Sequence, residues 1–463
     1  MLSSPFPSRG TRLPALPPAA RRVVRLNNGF QLSFNLLWWM PVFYDYQRHS
    51  GLTDGQIFGI QSIYYLAFCF LEVPTGLIAD RIGPRRCMHL GAGVMAAANV
   101  LPAVRADCTG FLLHFLALAA ARSLVSGAGS AYLYECLDAH GAKDRYAQAE
   151  GTARALGLAA KIVCWPFVGL VMRLDHAAPY WLTAVSASAS LACVLALPAL
   201  PHHRPGGDAA PSGGRPGPLT SLRNALSVLR GSRVLGPLMV QGVAVFTLAR
   251  ICQVNLFQPL LLDKQIPVVD HGALLSAMTL AEAVGASRPG LIRRRMSDSG
   301  AVFVLSLVMA GSLGATVLAD GRTTVVLLCL FAVAGGLAYP VQRHLINDAI
   351  PSIPYRATLL SLESIIDRGV CALVALAVGA YLADDRLHTL LVQSAVGTCV
   401  LLAAVGVLLR LLRRPGLQAA GTDAGEVSRE ALQEAPREVL QEAPPAVSVS
   451  AGGQTAGSSS PRA

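Results

Sequence analysis

Five ionisable residues stand deep inside long apolar stretches, where no water would solvate them: Arg122, Lys161, Arg250, Asp367 and Arg368. At ~1.5 Å of rise per helical residue, each falls near the middle of its stretch. Charges in hydrocarbon are costly enough to mark a solute path, a proton relay or an ion pair. Glu363 precedes Asp367 by four residues and so shares its helix face. Asp45 closes the first apolar stretch, toward its outer end. Arginine at 122 and 250 suits attraction of a carboxylate or another anionic group. Asp367 or Glu363 suits proton carriage, because burial opposes a carboxylate's charge while a nearby cation favours it. The plainer alternative is static pairing, for instance Arg250 with Asp367.

Other chemistries lack their residues. None of the ten cysteines forms a CxxC pair, and the histidines show no ligand spacing, so no metal site or disulfide framework is expected. Cys69, Cys164, Cys193, Cys329 and Cys371 read as small buried apolar side chains. No GxxxxGK[ST] loop occurs, which excludes ATP-driven work by this chain, and no nucleophile elbow appears among the serines. The chain is not expected to be an enzyme or to hold a cofactor. Trp38, Trp39, Tyr44, Tyr46, Tyr64 and Tyr65 suit stacking on a ring-bearing solute, but interface anchoring and packing are the commoner uses.

The elements that must position these charges follow from composition. Of 463 residues, 53% are hydrophobic and only 14% charged, against about 25% in soluble domains; the mean hydropathy is +0.49. Lipid must cover a surface with so little polar material. A bilayer core needs roughly 20 apolar residues per helix. Such stretches fall near 28–47, 54–79, 87–105, 110–136, 147–172 and 179–199, then near 234–262, 271–291, 300–319, 323–348, 356–382 and 387–412. The expected fold is all-α and integral to the membrane, with twelve spans in two six-helix bundles, 27–199 and 233–413. Residues 1–26 are Arg-rich and acid-free, with no apolar core of a signal peptide, and read as a cytoplasmic tail. The Pro/Gly/Arg-rich 200–232 reads as a linker, and 414–463, with LQEAP at 432–436 and 440–444, as a disordered tail.

The net charge of +11 rests almost wholly on arginine. The arginines cluster between apolar runs, which argues against a nucleic-acid stripe and for an orientation signal. With both termini cytoplasmic, 28 basic residues lie inside and six outside, one per outer loop. The expected location is the cell's inner (plasma) membrane.

The halves repeat each other. Glu72 recurs as Glu282 and Gly169 as Gly379, each 210 positions on; Arg86 recurs as Arg295 and Tyr146 as Tyr355 at 209; Gly127 and Leu137 recur as Gly335 and Leu345 at 208. Six matches in order, on helices of equal rank, indicate parallel repeats, an arrangement that places a site between halves at mid-membrane.

Between the second and third stretches runs EVPTGLIADRIGPRR, with Glu72, Gly76, Asp80, Arg81, Gly83, Arg85 and Arg86. Gly76 and Gly83 suit a tight loop, and the arginines hold it inside. This segment resembles the loop signature of the major facilitator superfamily, here of the bacterial drug-exporter kind. SGAGSAYLYECL at 126–137 and YRATLLSLESI at 355–365 extend the resemblance over residues 27–412. Pro84 stands where the family has a basic residue. Gly127 follows Arg122 by five residues rather than the antiporters' four, and the second-half loop, GASRPGLIRRR, lacks the aspartate.

The resemblance implies a secondary transporter whose first, fourth, seventh and tenth spans line a central cavity. Arg122, Arg250 and Asp45 would then lie closest to a solute, with Lys161, Asp367 and Arg368 behind or between them. It also implies that Asp80 and Arg81 latch the halves together on the cytoplasmic side in the outward-facing state, whereas a tight charged turn explains the same residues without gating. The expected activity is proton-coupled export of a small organic solute, anionic or zwitterionic, by a monomer driven by a proton gradient. A proton-coupled importer, or a non-transporting sensor or scaffold using the 414–463 tail, are the alternatives.

Overall fold

A computed structural model describes residues 16–199, 234–288, 290–350 and 353–412, with positions 227, 229 and 232. Most of the expected 200–232 linker and all of the 414–463 tail lie outside it. Residues up to Leu409 form one body, built among the described residues from α-helices and short 3-10 or π turns.

In chain order the helices are α1 Pro18–Asn35, α2 Phe43–His49, α3 Asp54–Ile82, α4 Pro84–Val104, α5 Cys108–Ser126, α6 Ala128–Ala139, α7 Tyr146–Cys164, α8 Val168–Leu174 and α9 Ala178–Leu195. The second half runs α10 Leu235–Arg250, α11 Phe257–Asp263, α12 Val268–Ala286, α13 Gly290–Arg293, α14 Asp298–Ala315, α15 Gly321–Ala349, α16 Ile353–Ala383 and α17 Leu387–Leu412. Nine helices, some composed of two of these segments, are long and apolar enough to cross a membrane among the described residues. Of the other expected spans, the first is broken into α1 and α2, and α12 carries Asp270, His271 and Glu282; α3 runs as one helix from Asp54 to Ile82.

Local chemistry sets the boundaries. Thr53 and Gln56 form a reciprocal capping box at the start of α3. Asp107, Ser297 and Asp320 accept from backbone N–H groups at the starts of α5, α14 and α15. The Gly110 amide, then Arg105, holds the exposed Asp107 carboxyl below its ordinary value. The Thr323 hydroxyl and amide do the same for Asp320. Gly83, at φ +87°, turns the chain from α3 into α4, and Pro84 follows at the first helical position, where its missing N–H is harmless. That is how a proline fits where the family has a basic residue.

The first span is not one helix. It starts at Pro18, ahead of the expected boundary at 27, and unwinds over 36–42 before resuming as α2. Pro41 has no N–H to donate to a continuing helix. The related span of the second half is also irregular, passing through a π turn at Ile251–Leu256 between α10 and α11. Such wide turns inside α-helices frequently mark functional sites.

Large apolar side chains face outward around the bundle, among them Phe70, Val185, Leu373 and Val400, as lipid contact requires. Within it the halves meet mainly toward one end, here termed distal: the end of the turns at 49–54, 175–177, 264–267 and 384–386. A Cβ on Gly169 would overlap the Val269 backbone, and one on Gly272 the Trp165 carbonyl. Gly379 sits against Phe58 and the Asp54 carbonyl. Glycine is needed at 169 and 272 because backbone meets backbone there, whereas at 379 the fit is only tight.

Candidate functional site: a charged cavity beneath a broken helix

The unwound segment 36–42 leaves backbone groups that no helix satisfies, and side chains from other helices take them up. Trp165 Nε1 donates to the Leu37 carbonyl at 2.9 Å, and the Trp38 amide donates to Thr183 Oγ1 at 3.0 Å. Gln258 reaches across from the second half. Its Oε1 accepts from the Tyr44 amide at 3.0 Å and weakly from Asp45 at 3.4 Å, while its Nε2 donates to the Met40 carbonyl at 3.2 Å. Gln258, 1% exposed, thereby acts as an N-cap for α2 supplied by the opposite half.

Beneath the break lies a cavity of about 110 Å³ lined by residues of both halves. Its wall includes Trp39, Gln61, Tyr64, Phe115, Arg122 and Arg250. Tyr65 closes it by donating to Asn255 Oδ1, 3.3 Å away on the π turn. On the distal side of the closure is a separate vestibule of about 460 Å³, lined in part by Asp45, Arg48, Asp54, Asp263 and Asp385.

Arg122 and Arg250 line the cavity as expected. Asp45 does not: the break places it on α2, in the vestibule, where it does not share a space with them. Arg250 Nη2 meets Asp367 Oδ2 at 2.7 Å, and Thr247 Oγ1 donates to Asp367 Oδ1 at 3.0 Å. The pairing alternative raised by the sequence is therefore the arrangement observed. Glu363, 1% exposed, meets Arg343 of α15 at 2.7 Å. A Cβ on Gly242 would come within 2.8 Å of the Glu363 carboxylate, so glycine makes room for this acid. Arg368 lies 3.5 Å over the Phe68 ring, a cation–π contact across the halves, and donates to Ser364 Oγ at 3.4 Å. Lys161 Nζ sits 5.7 Å from the Trp165 ring centroid.

The segment from Glu72 to Arg86 is less of a loop than its glycines suggest. α3 continues to Ile82, so Glu72, Gly76, Asp80 and Arg81 are all helical. Gly76 is exposed and makes no turn; only Gly83 does. Glu72 is partly buried, its Oε2 enclosed and without a hydrogen-bond partner among the described residues. Arg81 and Arg86 are exposed, and Arg85 reaches the Leu195 carbonyl at 3.4 Å. The Asp80 side chain lies outside the described set.

Sequence reasoning missed Gln258, Asn255 and Gln253, whose Nε2 donates to Glu282 Oε2 at 2.8 Å. The signal was present: three amides within six residues of an apolar stretch, and Pro41 inside another.

The family profile described as Major Facilitator Superfamily matches residues 29–362. The chain belongs to the major facilitator superfamily, and it is a transporter, not an enzyme. Among solved structures it is similar to the nucleoside transporter NupG, with a TM-score of 0.70 at 15% identity, covering 85% of this chain and 99% of that one. It is also similar to an auto-inhibited POT family peptide transporter, with a TM-score of 0.64 at 12% identity, covering 86% of this chain and 98% of that one. Likeness at such low identity carries the fold alone. No curated protein sequence matches the chain.

Proposed function

We propose that the chain is a twelve-span, proton-coupled secondary transporter that exports a small organic solute by alternating access, acting as a monomer in the inner membrane with both termini cytoplasmic. One observation carries the reading. Among the described residues, the hydrogen bonds and close ring contacts between the halves lie at mid-span or beyond it toward the distal end, from Cys69 with Ile365 outward to Tyr44 with Gln258. Toward the other end, Tyr134, Leu156, Leu280 and Tyr339 are exposed. With the orientation read from the arginines, these contacts support a form closed on the outer side, which the proposal takes to load solute from the cytoplasm.

The Asp367–Arg250 pair supports proton coupling. Protonating Asp367 removes its charge and releases Arg250. A zwitterion whose ammonium group takes the place of that proton would exchange with it, giving export. A second reading rests on the same pair: an anion that needs Arg250 released would travel together with the proton, giving uptake. The experiment is counterflow of labelled metabolites and drugs in proteoliposomes, with and without a pH gradient. Exchange against protons supports export and co-movement supports uptake; counterflow of none of them would refute both readings.

A further inference from the structure

The last span is not packed as its counterpart in the first half is. There α9 lies directly on the first span: a Cβ on Gly29 of α1 would come within 3.1 Å of Cys193 Sγ, and Trp38 Nε1 donates to Ser186 Oγ at 2.9 Å. In the second half, α17 stands off from α10 and α16 around a cavity of about 640 Å³. On its walls, a Cβ added to Gly236 of α10 or to Gly397 of α17 would meet no atom within 4 Å among the described residues. The gap is not a loose helix, because α17 is held elsewhere. A Cβ on Gly314 of α14 would come within 3.0 Å of Ala395, and one on Gly406 within 3.6 Å of the Phe303 ring, also of α14. Leu238 of α10 packs with Val405 and Leu409 at the end away from the distal turns. Closing the gap would break these contacts, so the cavity is part of the fold.

Its lining says what fills it. Apart from Thr247, Gln393, Ser394 and Thr398, the wall is apolar. Thr247 already donates to Asp367, and Gln393 already accepts from Tyr381 at 2.5 Å. Serine and threonine hydroxyls within a helix return to the backbone one turn back. Apolar cavities stay dry, yet packed interiors do not keep voids of this size. Val240, Ile366 and Leu401 line the cavity and are themselves exposed, as are Leu373, Val396 and Val400 on the same lipid-facing surface. The mouth therefore opens sideways at mid-span, where hydrocarbon chains are the adjoining medium. The volume falls within the roughly 300–1,000 Å³ of small-ligand sites.

We infer that this groove is a binding site for one acyl chain of a membrane phospholipid, held between α10, α16 and α17 as part of the packed structure and distinct from the exchanging lipid around it. Dispersion contact on three sides supplies the preference over the open bilayer. Thr247 stands in the wall and holds Asp367. The chain therefore also keeps water from reaching the Asp367–Arg250 pair from the membrane side.

The test uses the full chain in phospholipid vesicles doped with a phosphatidylglycerol that carries a diazirine midway along one acyl chain. After irradiation, adducts are mapped by peptide mass spectrometry. Labelling of 239–251 and 393–401, which hold most of the groove, should saturate as the probe fraction rises. At low probe fraction it should exceed labelling of the lipid-facing stretch 181–195 in α9 by about tenfold, while the α9 signal rises without saturating. Gly397→Phe puts a ring into the open space and replaces a helix glycine, so it should fold. It should bring labelling of 239–251 down to the α9 level and leave α9 unchanged. Equal labelling of groove and α9 in the wild-type chain would overturn the inference without need of any variant. So would groove labelling that Gly397→Phe leaves intact, or an excess seen only with a diazirine-bearing free fatty acid. The transport reading is untouched by these outcomes, since none of them measures solute movement.

Discussion

Replacing Gln258 with leucine removes the side chain that ties the second half to the break in the first span. Two of its hydrogen bonds have good geometry, at 3.0 and 3.2 Å, and the third, at 3.4 Å, is weak. A net hydrogen bond contributes about 1 kcal/mol, and a buried backbone group left without a partner costs about 1–3 kcal/mol. In an outward-open form water would reach the Tyr44 amide and the Met40 carbonyl, so the loss falls on the distally closed form. A shift of about 2–3 kcal/mol follows, roughly 30- to 150-fold in the equilibrium between the forms. Starting from an outward-open population of about 1%, the variant should reach about a quarter to more than half. Double electron–electron resonance between spin labels at the exposed positions Arg173 and Gln265, in a background without other reactive cysteines, reads the two populations directly. A long-distance population should grow in Gln258→Leu and remain minor in the wild type. An unchanged distance distribution would refute the assignment of Gln258 as a lock between the halves.

Further outcomes follow from the same contacts. Asp367→Asn leaves Arg250 without its counter-charge; because the Arg250 side chain is 35% exposed, the loss falls below the roughly 3–5 kcal/mol of a fully buried pair broken on one side. It should lower thermal stability and abolish the pH-gradient dependence of counterflow, and adding Arg250→Gln should recover the stability but not the coupling. Gly272→Val forces a side chain into the Trp165 carbonyl, so the distal end should stay open and counterflow should fall to background. Asp107→Asn and Asp320→Asn should each lower the melting temperature at neutral pH. Both carboxyls are held below their ordinary value in the fold, so their stabilisation is complete above about pH 4 and fades as the pH falls through the lowered value. Asparagine keeps the cap and removes only the charge, so the difference from wild type should vanish in strong acid; a difference that persists there would argue against the carboxylate charge as its source.

What the sequence reveals divides along physical lines. Spans are legible because bilayer thickness sets the length of an apolar run. The fold family is legible because Gly83 with its flanking arginines is local in sequence, and because the repeat of Glu72 as Glu282 needs only a constant offset along the chain. The charges at 122, 161, 250, 363, 367 and 368 stand out because hydrocarbon makes any charge conspicuous. Which of them pair is a matter of tertiary distance: Arg250 finds Asp367 117 positions away, and Arg343 finds Glu363 across a helix turn-round. Asp45 is legible as an outer-end residue, but its separation from the cavity is not, because the break over 36–42 that sets α2 apart is a tertiary feature. The amides at 253, 255 and 258 stand out as a cluster in an apolar run, but the partner of Gln258 is not legible, because it is backbone of the opposite half.

The central claim is that the cavity beneath the break opens to one side of the membrane at a time. A single cysteine at Tyr64, probed with a membrane-impermeant maleimide in right-side-out and inverted vesicles, tests it most directly. Reactivity from the cytoplasmic face alone, moving to the outer face when Gln258→Leu is added, is the predicted result. Reactivity from both faces at once, or from neither in either background, would contradict it.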